Sequence, residues 1–164
     1  MYKITRFTAS VVVCMLCMAF TTTDAFSQNC RAQLSVEKDR NTRSASEGDD
    51  TSFWVVLTNN SSKTETYSIS TVNLKTSCDN QYNRTNEPNV PLSVSMTGND
   101  SRSAFNGSTS LRPGQSYRFR VDVSVPAGTP FNRWSCIEVQ AKTPTCTNPA
   151  TTTLKVLVSD PSEE

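Results

Sequence analysis

The sequence predicts an all-β protein, a sandwich of two antiparallel sheets with about seven strands that disulfides hold together. Apolar residues alternate with polar ones at a period of two along much of the chain, and no segment shows helical periodicity. The 164 residues provide about one domain. A sheet with one apolar face needs a second sheet to cover it, which favours a sandwich.

Residues 1–27 are expected to be a signal peptide. Lys3 and Arg6 precede an apolar run from Ala9 to Phe20, and small residues, Ala25 and Ser27, occupy the positions three residues and one residue before the expected cleavage site. The run is shorter than the roughly 20 apolar residues of a membrane span. We therefore expect cleavage after Ser27, a domain over 28–159, a disordered polar tail over 160–164, and a secreted or periplasmic location.

Composition excludes several classes of function. Hydrophobic residues make up 35% of the chain, and serine and threonine contribute 22 residues each. Without the leader, 14 basic residues face 14 acidic ones, so no basic surplus points to nucleic acid. The chain contains no histidine, which removes Ser-His-Asp and Cys-His nucleophiles and histidine-ligated metals. No enzymatic activity, cofactor or metal is expected.

The strands can be placed by the parity of their apolar residues, that is, by whether the apolar residues have odd or even numbers and so share one face of the strand. The clearest is the segment from Gln115 to Val125, where Tyr117, Phe119 and Val121 share one side. The polar stretch 38–50 is expected to be a solvated loop, and 75–89 a loop held by a disulfide. The second and third strands are expected to form a hairpin across the turn at 59–62. The predicted strands are 32–36, 53–57, 66–72, 91–96, 115–125, 133–141 and 151–159.

Three segments carry a family resemblance. Residues 55–70 (VVLTNNSSKTETYSIS), the turn from Leu111 to Gln115 and residues 123–129 (VSVPAGT) resemble the bacterial immunoglobulin-like and fibronectin-III-like exported modules of the NEW3 and CARDB type. The resemblance implies an immunoglobulin-like sandwich. It also implies a non-catalytic accessory or binding role, because such modules are usually parts of exported enzymes, adhesins and envelope proteins.

Four cysteines remain after the leader, an even number that indicates disulfides in an exported chain. If seven strands run up and down between the sheets, Cys30 and Cys146 lie at one end of the sandwich and Cys78 and Cys136 at the other. The predicted pairs are therefore Cys30–Cys146 and Cys78–Cys136. The alternative joins Cys136 to Cys146 and Cys30 to Cys78. Cys136 has outward parity, unlike the core-facing cysteines of antibody domains.

The candidate ligand-binding residues are Trp134, Arg118 and Arg120. Trp134 has outward parity at a strand start, and an exposed indole can stack on a sugar. Arg118 and Arg120, with Arg112, could form a basic stripe for carboxylates, although Asp122 interrupts it and a solvated strand face is the favoured interpretation. Trp54 is expected in the core.

The loop that contains Glu47, Asp49 and Asp50 gathers three carboxylates, which could hold calcium. Its spacing lacks the alternating ligands of a calcium loop, so a solvated loop is the favoured interpretation.

Three functions remain open. The leading prediction is a non-catalytic module with a structural or protein-interaction role in a bacterial envelope or secreted assembly, with an unknown protein or glycan of the cell surface as its partner. The second is a carbohydrate-binding module that uses Trp134 and the arginine face. The third is a secreted inhibitor or chaperone-like subunit that offers an edge strand to its partner.

Overall fold

Nine strands form two sheets that pack face to face in the computed structural model, which describes residues 30–76, 78, 87–99 and 105–163. The leader predicted over 1–27 lies outside these residues. The strands are β1 (Ala32–Val36), β2 (Thr42–Ala45), β3 (Asp50–Asn59), β4 (Glu65–Leu74), β5 (Ser93–Thr97), β6 (Ser108–Leu111), β7 (Ser116–Ser124), β8 (Arg133–Lys142) and β9 (Ala150–Val158).

The first sheet has the order β1-β3-β7-β5, and all its ladders are antiparallel. Its central ladder joins β3 to β7, from Asp50 opposite Ser124 to Thr58 opposite Ser116. Alternate residues of both strands face the interior, as the period-two pattern predicts.

The second sheet has the order β2-β9-β8-β4-β6. Its ladders are antiparallel except that β2 runs parallel to β9. The two-sheet sandwich is thus confirmed, and the parallel ladder is the one departure from an antiparallel arrangement among the described strands.

The inner faces of the two sheets form one apolar core. Its largest fully buried side chains come from both sheets, with Phe53 and Phe119 on the first and Tyr67 on the second. Phe105, which precedes β6, lies against this core with its ring 5.8 Å from that of Phe119. Burial of such apolar area is the main stabilising contribution to a fold of this kind.

All seven predicted strands are present, and the structure adds β2 and β6. The prediction of a solvated loop over 38–50 was wrong at Thr42–Ala45, where only Ala45 is buried. The polar side chains of β2 carry no alternation, yet its backbone adds to the edge of β9, so hydrogen bonding rather than burial makes it a strand. Likewise β6 has the sequence STSL, in which only Leu111 is apolar and buried.

The predicted hairpin between the second and third strands was also wrong. These strands are β3 and β4, and they belong to different sheets. The chain crosses between the sheets immediately after Asn59, a fully buried residue whose side-chain amide donates hydrogen bonds to Lys63 O and Leu111 O, both at 2.9 Å. This buried amide shapes an arch where the sequence pattern indicated a tight turn.

Disulfides join Cys30 to Cys146 and Cys78 to Cys136, which is the pairing predicted from the sequence. Cys136 lies near the start of β8 and Cys146 follows its end, so the two bridges lie at opposite ends of the sandwich. The segment predicted as a disordered tail contains one turn of 3₁₀ helix at Pro161–Glu163. Within the described residues, no helix is long and apolar enough to cross a membrane.

Candidate interaction surfaces

Arg118 and Arg120, the arginines of the predicted ligand-binding face, lie on the outer side of the first sheet together with Trp54. On β3, Phe53, Val55 and Leu57 point inward and Trp54 points outward. The expectation that Trp54 belongs to the core was therefore wrong. The guanidinium carbon of Arg118 lies 3.6 Å from the centroid of the indole, which is a cation–π contact.

The charges on this face neutralise one another. Arg118 Nη2 donates to Glu37 Oε2 at 2.8 Å. Arg120 Nε lies 2.7 Å from Asp122 Oδ1, while Thr97 donates to the other carboxylate oxygen of Asp122 at 3.0 Å. Two arginines thus face two carboxylates, and each exposed pair contributes little to stability, about 0–1 kcal/mol.

We call this group of Trp54, Arg118, Arg120, Asp122 and Glu37 the arginine face. One side of the indole is already covered by Arg118, so that side offers no platform for a sugar ring. Neither arginine is free of a carboxylate partner. The arrangement braces β3, β7 and the segment after β1, and it presents a neutral, polar surface rather than an anion site.

Trp134 does not provide the exposed indole that was predicted, since only 4% of its surface is accessible. Its parity is outward, as is that of Cys136, which is also fully buried. The chain near residues 87–92 lies against this end of β8: Val90 N donates to Trp134 O at 2.9 Å, and Asn89 Nδ2 to Cys136 Sγ at 3.1 Å. The Asn89 side chain thus lies on an outer face that parity alone assigns to solvent.

Two carboxylates of the acidic loop between β2 and β3 accept hydrogen bonds from within the protein. Asp49 accepts a hydrogen bond from Ser46 at 2.8 Å, and Glu47 accepts one from Gly128 N at 3.1 Å. In the described part of the chain, no three histidine, cysteine, aspartate or glutamate side chains lie together in a way that could hold a metal ion.

A polar cleft of about 480 Å³ lies at the end of the sandwich closed by the Cys30–Cys146 disulfide. It lies between the arch after β3 and the turn after β8, and the disulfide forms part of its lining. Arg31, Lys63 and Glu65 contribute the charged groups of that lining. No sequence pattern indicates this cleft, because its residues come from separate parts of the chain that only the fold brings together.

Tyr67 lines the cleft and is hydrogen-bonded to Asn59. The Tyr67 hydroxyl donates to Asn59 Oδ1 at 2.9 Å, and Asn59 Oδ1 also accepts a hydrogen bond from Ser61 N at 2.9 Å. Burial raises the pKa of the Tyr67 hydroxyl, and the negative charge of Glu65 raises it further. Tyr67 is therefore held in its neutral form as a hydrogen-bond donor to the arch.

Comparison with known proteins gives a likeness in fold only. No family model matches the sequence. No curated protein matches it either.

Several solved structures are similar at low identity. A FixG-related protein from Vibrio parahaemolyticus is 10% identical with a TM-score of 0.47, over 78% of this chain and 96% of that one. The CooA pilin subunit from enterotoxigenic Escherichia coli is 10% identical with a TM-score of 0.45, over 80% and 99%. A family 123 glycoside hydrolase from Clostridium perfringens is 13% identical with a TM-score of 0.48, over 77% of this chain and 27% of the enzyme.

Proposed function

We propose that this protein is a non-catalytic exported module with a structural or protein-interaction role in a bacterial envelope or secreted assembly. The observation that carries the proposal is the arginine face, where the charged side chains pair with one another across the sheet surface. Such a surface braces the sandwich, and its tryptophan and arginines are residue types that are enriched at protein interfaces. The resemblance of residues 55–70 to exported immunoglobulin-like modules supports the same role.

A second function, that of an inhibitor or chaperone-like subunit acting through an edge strand, is favoured by the edge at β6. Ile69 N donates to Gly107 O at 2.7 Å, so residues 69 and 107 form a hydrogen-bonded pair of the antiparallel ladder. Because such pairs alternate, the backbone groups of Ser108 and Ser110 point away from β4. Ser108 N donates to Asn106 Oδ1 at 3.1 Å, so Ser108 O and the backbone groups of Ser110 form a short, uncharged edge to which a partner strand can add.

No observation favours the carbohydrate-binding alternative in the form predicted. That alternative needed an exposed indole at Trp134, which is buried, and free arginines at positions 118 and 120, which are paired.

Site-specific photo-crosslinking in the native cells tests the proposal. A photoreactive residue would be placed singly at Ser110 on the β6 edge, at Ser70 on the outer face of β4 and at Thr58 on the outer face of β3. A probe at Ser162, on the terminal 3₁₀ turn, serves as the control. The proposal predicts a discrete protein adduct from at least one sheet position and none from the control. No adduct from any sheet position would contradict it.

The edge-strand function has a sharper test. Ser110→Pro removes an N–H that points to solvent, so the fold should tolerate it, while strand addition should be blocked. With the photoreactive residue moved to Ser108 on the same edge, loss of the crosslinked adduct in Ser110→Pro, but not in the matched variant Ser110→Thr, would support recognition through β6. An unchanged adduct in both variants would exclude it.

A further inference from the structure

The cleft at the Cys30–Cys146 end is built from two walls, each held by contacts of its own. The first wall is the arch over 60–63. Asn59 holds it from below, and Ser61 Oγ donates to Lys63 O at 2.8 Å within it. Because these hydrogen bonds already fix the arch, a ligand would not have to order it on binding.

The second wall is the turn from Thr143 to Cys146. Thr143 N donates to Cys146 Sγ at 3.2 Å, and the hydroxyls of Thr143 and Thr145 are hydrogen-bonded to each other at 3.1 Å. The disulfide from Cys146 to Cys30 and a hydrogen bond from Cys30 N to Asn148 O at 3.0 Å tie this turn to the start of the domain. Both walls are therefore fixed before any ligand arrives.

The lining combines hydroxyl groups with two cations and one carboxylate. Ser61, Ser62 and Thr145 supply hydroxyls. Lys63 Nζ lies 3.4 Å from Glu65 Oε1, with the lysine side chain 69% exposed and that of the glutamate 15% exposed. No described carboxylate lies within ion-pair distance of Arg31, so the cleft carries a net charge of +1 from Arg31, Lys63 and Glu65.

From this arrangement we infer that the cleft binds a uronate, a sugar acid whose carboxylate pairs with Arg31 and Lys63 and whose hydroxyls meet Glu65 and the serine and threonine groups. A volume of about 480 Å³ lies in the range of small-ligand sites, which is about 300–1,000 Å³. Guanidinium binds carboxylate in a bidentate manner, and a largely buried carboxylate such as Glu65 accepts hydrogen bonds from sugar hydroxyls. This site is separate from the surfaces of the proposed function and does not depend on them.

Amide chemical-shift mapping of the oxidised protein tests the inference. D-glucuronate is the probe, D-glucose the control that lacks the carboxylate, and acetate the control that lacks the hydroxyls. Glucuronate should shift the amides of Ser61, Ser62 and Thr145 in a saturable manner, and both controls should bind more weakly. A trigalacturonate arm distinguishes a free sugar acid from the end of an acidic polysaccharide, since only the latter gains affinity with chain length.

Two variants locate the binding. Arg31→Gln should weaken glucuronate binding about tenfold, because one charge-assisted hydrogen-bonded contact is lost. Arg112→Gln, at an exposed arginine outside the cleft, should leave it unchanged. The inference is overturned if glucuronate shifts no cleft amide up to tens of millimolar, if glucose binds equally well, or if Arg31→Gln binds as tightly as the parent. If Arg31→Gln loses the dispersed amide spectrum of a folded protein, Lys63→Gln provides an independent test of the same site.

Discussion

At the scale of single residues, Asn59 has the largest structural role that the sequence did not signal. Its side chain joins the arch, the end of β6 and the Tyr67 hydroxyl through four hydrogen bonds. An asparagine followed by a second asparagine and two serines is typical of a turn. Nothing in that pattern shows that the first amide is buried, because the covering residues come from distant parts of the chain.

Replacing the Asn59 side chain should lower the free energy of unfolding substantially. Asn59→Ala leaves Leu111 O and the Tyr67 hydroxyl without their buried partner, and we expect a loss of about 2–4 kcal/mol in the free energy of unfolding. Asn60→Ala, at the exposed neighbouring residue, should change it by less than about 0.5 kcal/mol. Urea denaturation of both variants gives the comparison, and equal effects would refute the bridging role of Asn59.

Tyr67 gives a prediction about pH. Its pKa in the folded protein is raised above the ordinary value of 10.0. The protonated hydroxyl therefore contributes its full stabilisation below about pH 10, and this contribution is lost as the pH rises through the folded pKa. Tyr67→Phe should be less stable than the parent by about 1 kcal/mol near neutral pH, through the lost hydrogen bond, and the difference should narrow at strongly alkaline pH. Denaturation midpoints at neutral and alkaline pH measure it, and a constant difference would contradict the assignment.

At the scale of elements, parity predicted the strands that bury one face and failed for those that do not. The alternation of Tyr117, Phe119 and Val121 identifies β7 because their side chains must reach the core. The edge strands β2 and β6 bury little and so leave no such signature. Parity also cannot say which sheet a strand joins, and for this reason β3 and β4 were wrongly paired.

The candidate site was predictable only in part, for a similar reason. Outward parity correctly put Arg118 and Arg120 on a sheet face, yet it could not show that Glu37 and Asp122 pair with them. For Trp134 the parity was right and the exposure wrong, since the residue is buried and its carbonyl accepts a hydrogen bond from Val90, more than 40 residues earlier in the chain. Contacts between distant segments are what one sequence does not reveal.

The start of β6 depends on a glycine. Gly107 has φ of +76°, and a Cβ there would lie 3.0 Å from Ile69 O. Gly48 has a similar φ of +87° with nothing within 4 Å of the equivalent Cβ. Both alanine variants should lose about 1–2 kcal/mol to backbone strain, and Gly107→Ala should lose more because of the added contact with β4. Thermal or urea denaturation distinguishes them, and an equal loss would show that the contact costs nothing.

At the scale of the whole molecule, the two disulfides close the ends of the sandwich across very different lengths of chain. The Cys30–Cys146 bridge spans 116 residues and the Cys78–Cys136 bridge 58. Removing either as a pair of alanines should cost about 2–5 kcal/mol, and the longer bridge should cost about 0.6 kcal/mol more, because loop-closure entropy grows with the logarithm of length. Guanidinium denaturation of the two double variants measures this, and a variant as stable as the parent would show that its bridge does not constrain the unfolded chain.

Digestion with trypsin tests directly both the two bridges and the proposed export of the sandwich. Cleavage after lysine and arginine puts Cys30, Cys78, Cys136 and Cys146 on four different peptides, 28–31, 76–84, 134–142 and 143–155. We would map these peptides without reduction in the protein purified from its native cells. The account predicts 28–31, beginning at Gln28, joined to 143–155, and 76–84 joined to 134–142. Free thiols, a peptide that retains the leader, or 134–142 joined to 143–155 would contradict it.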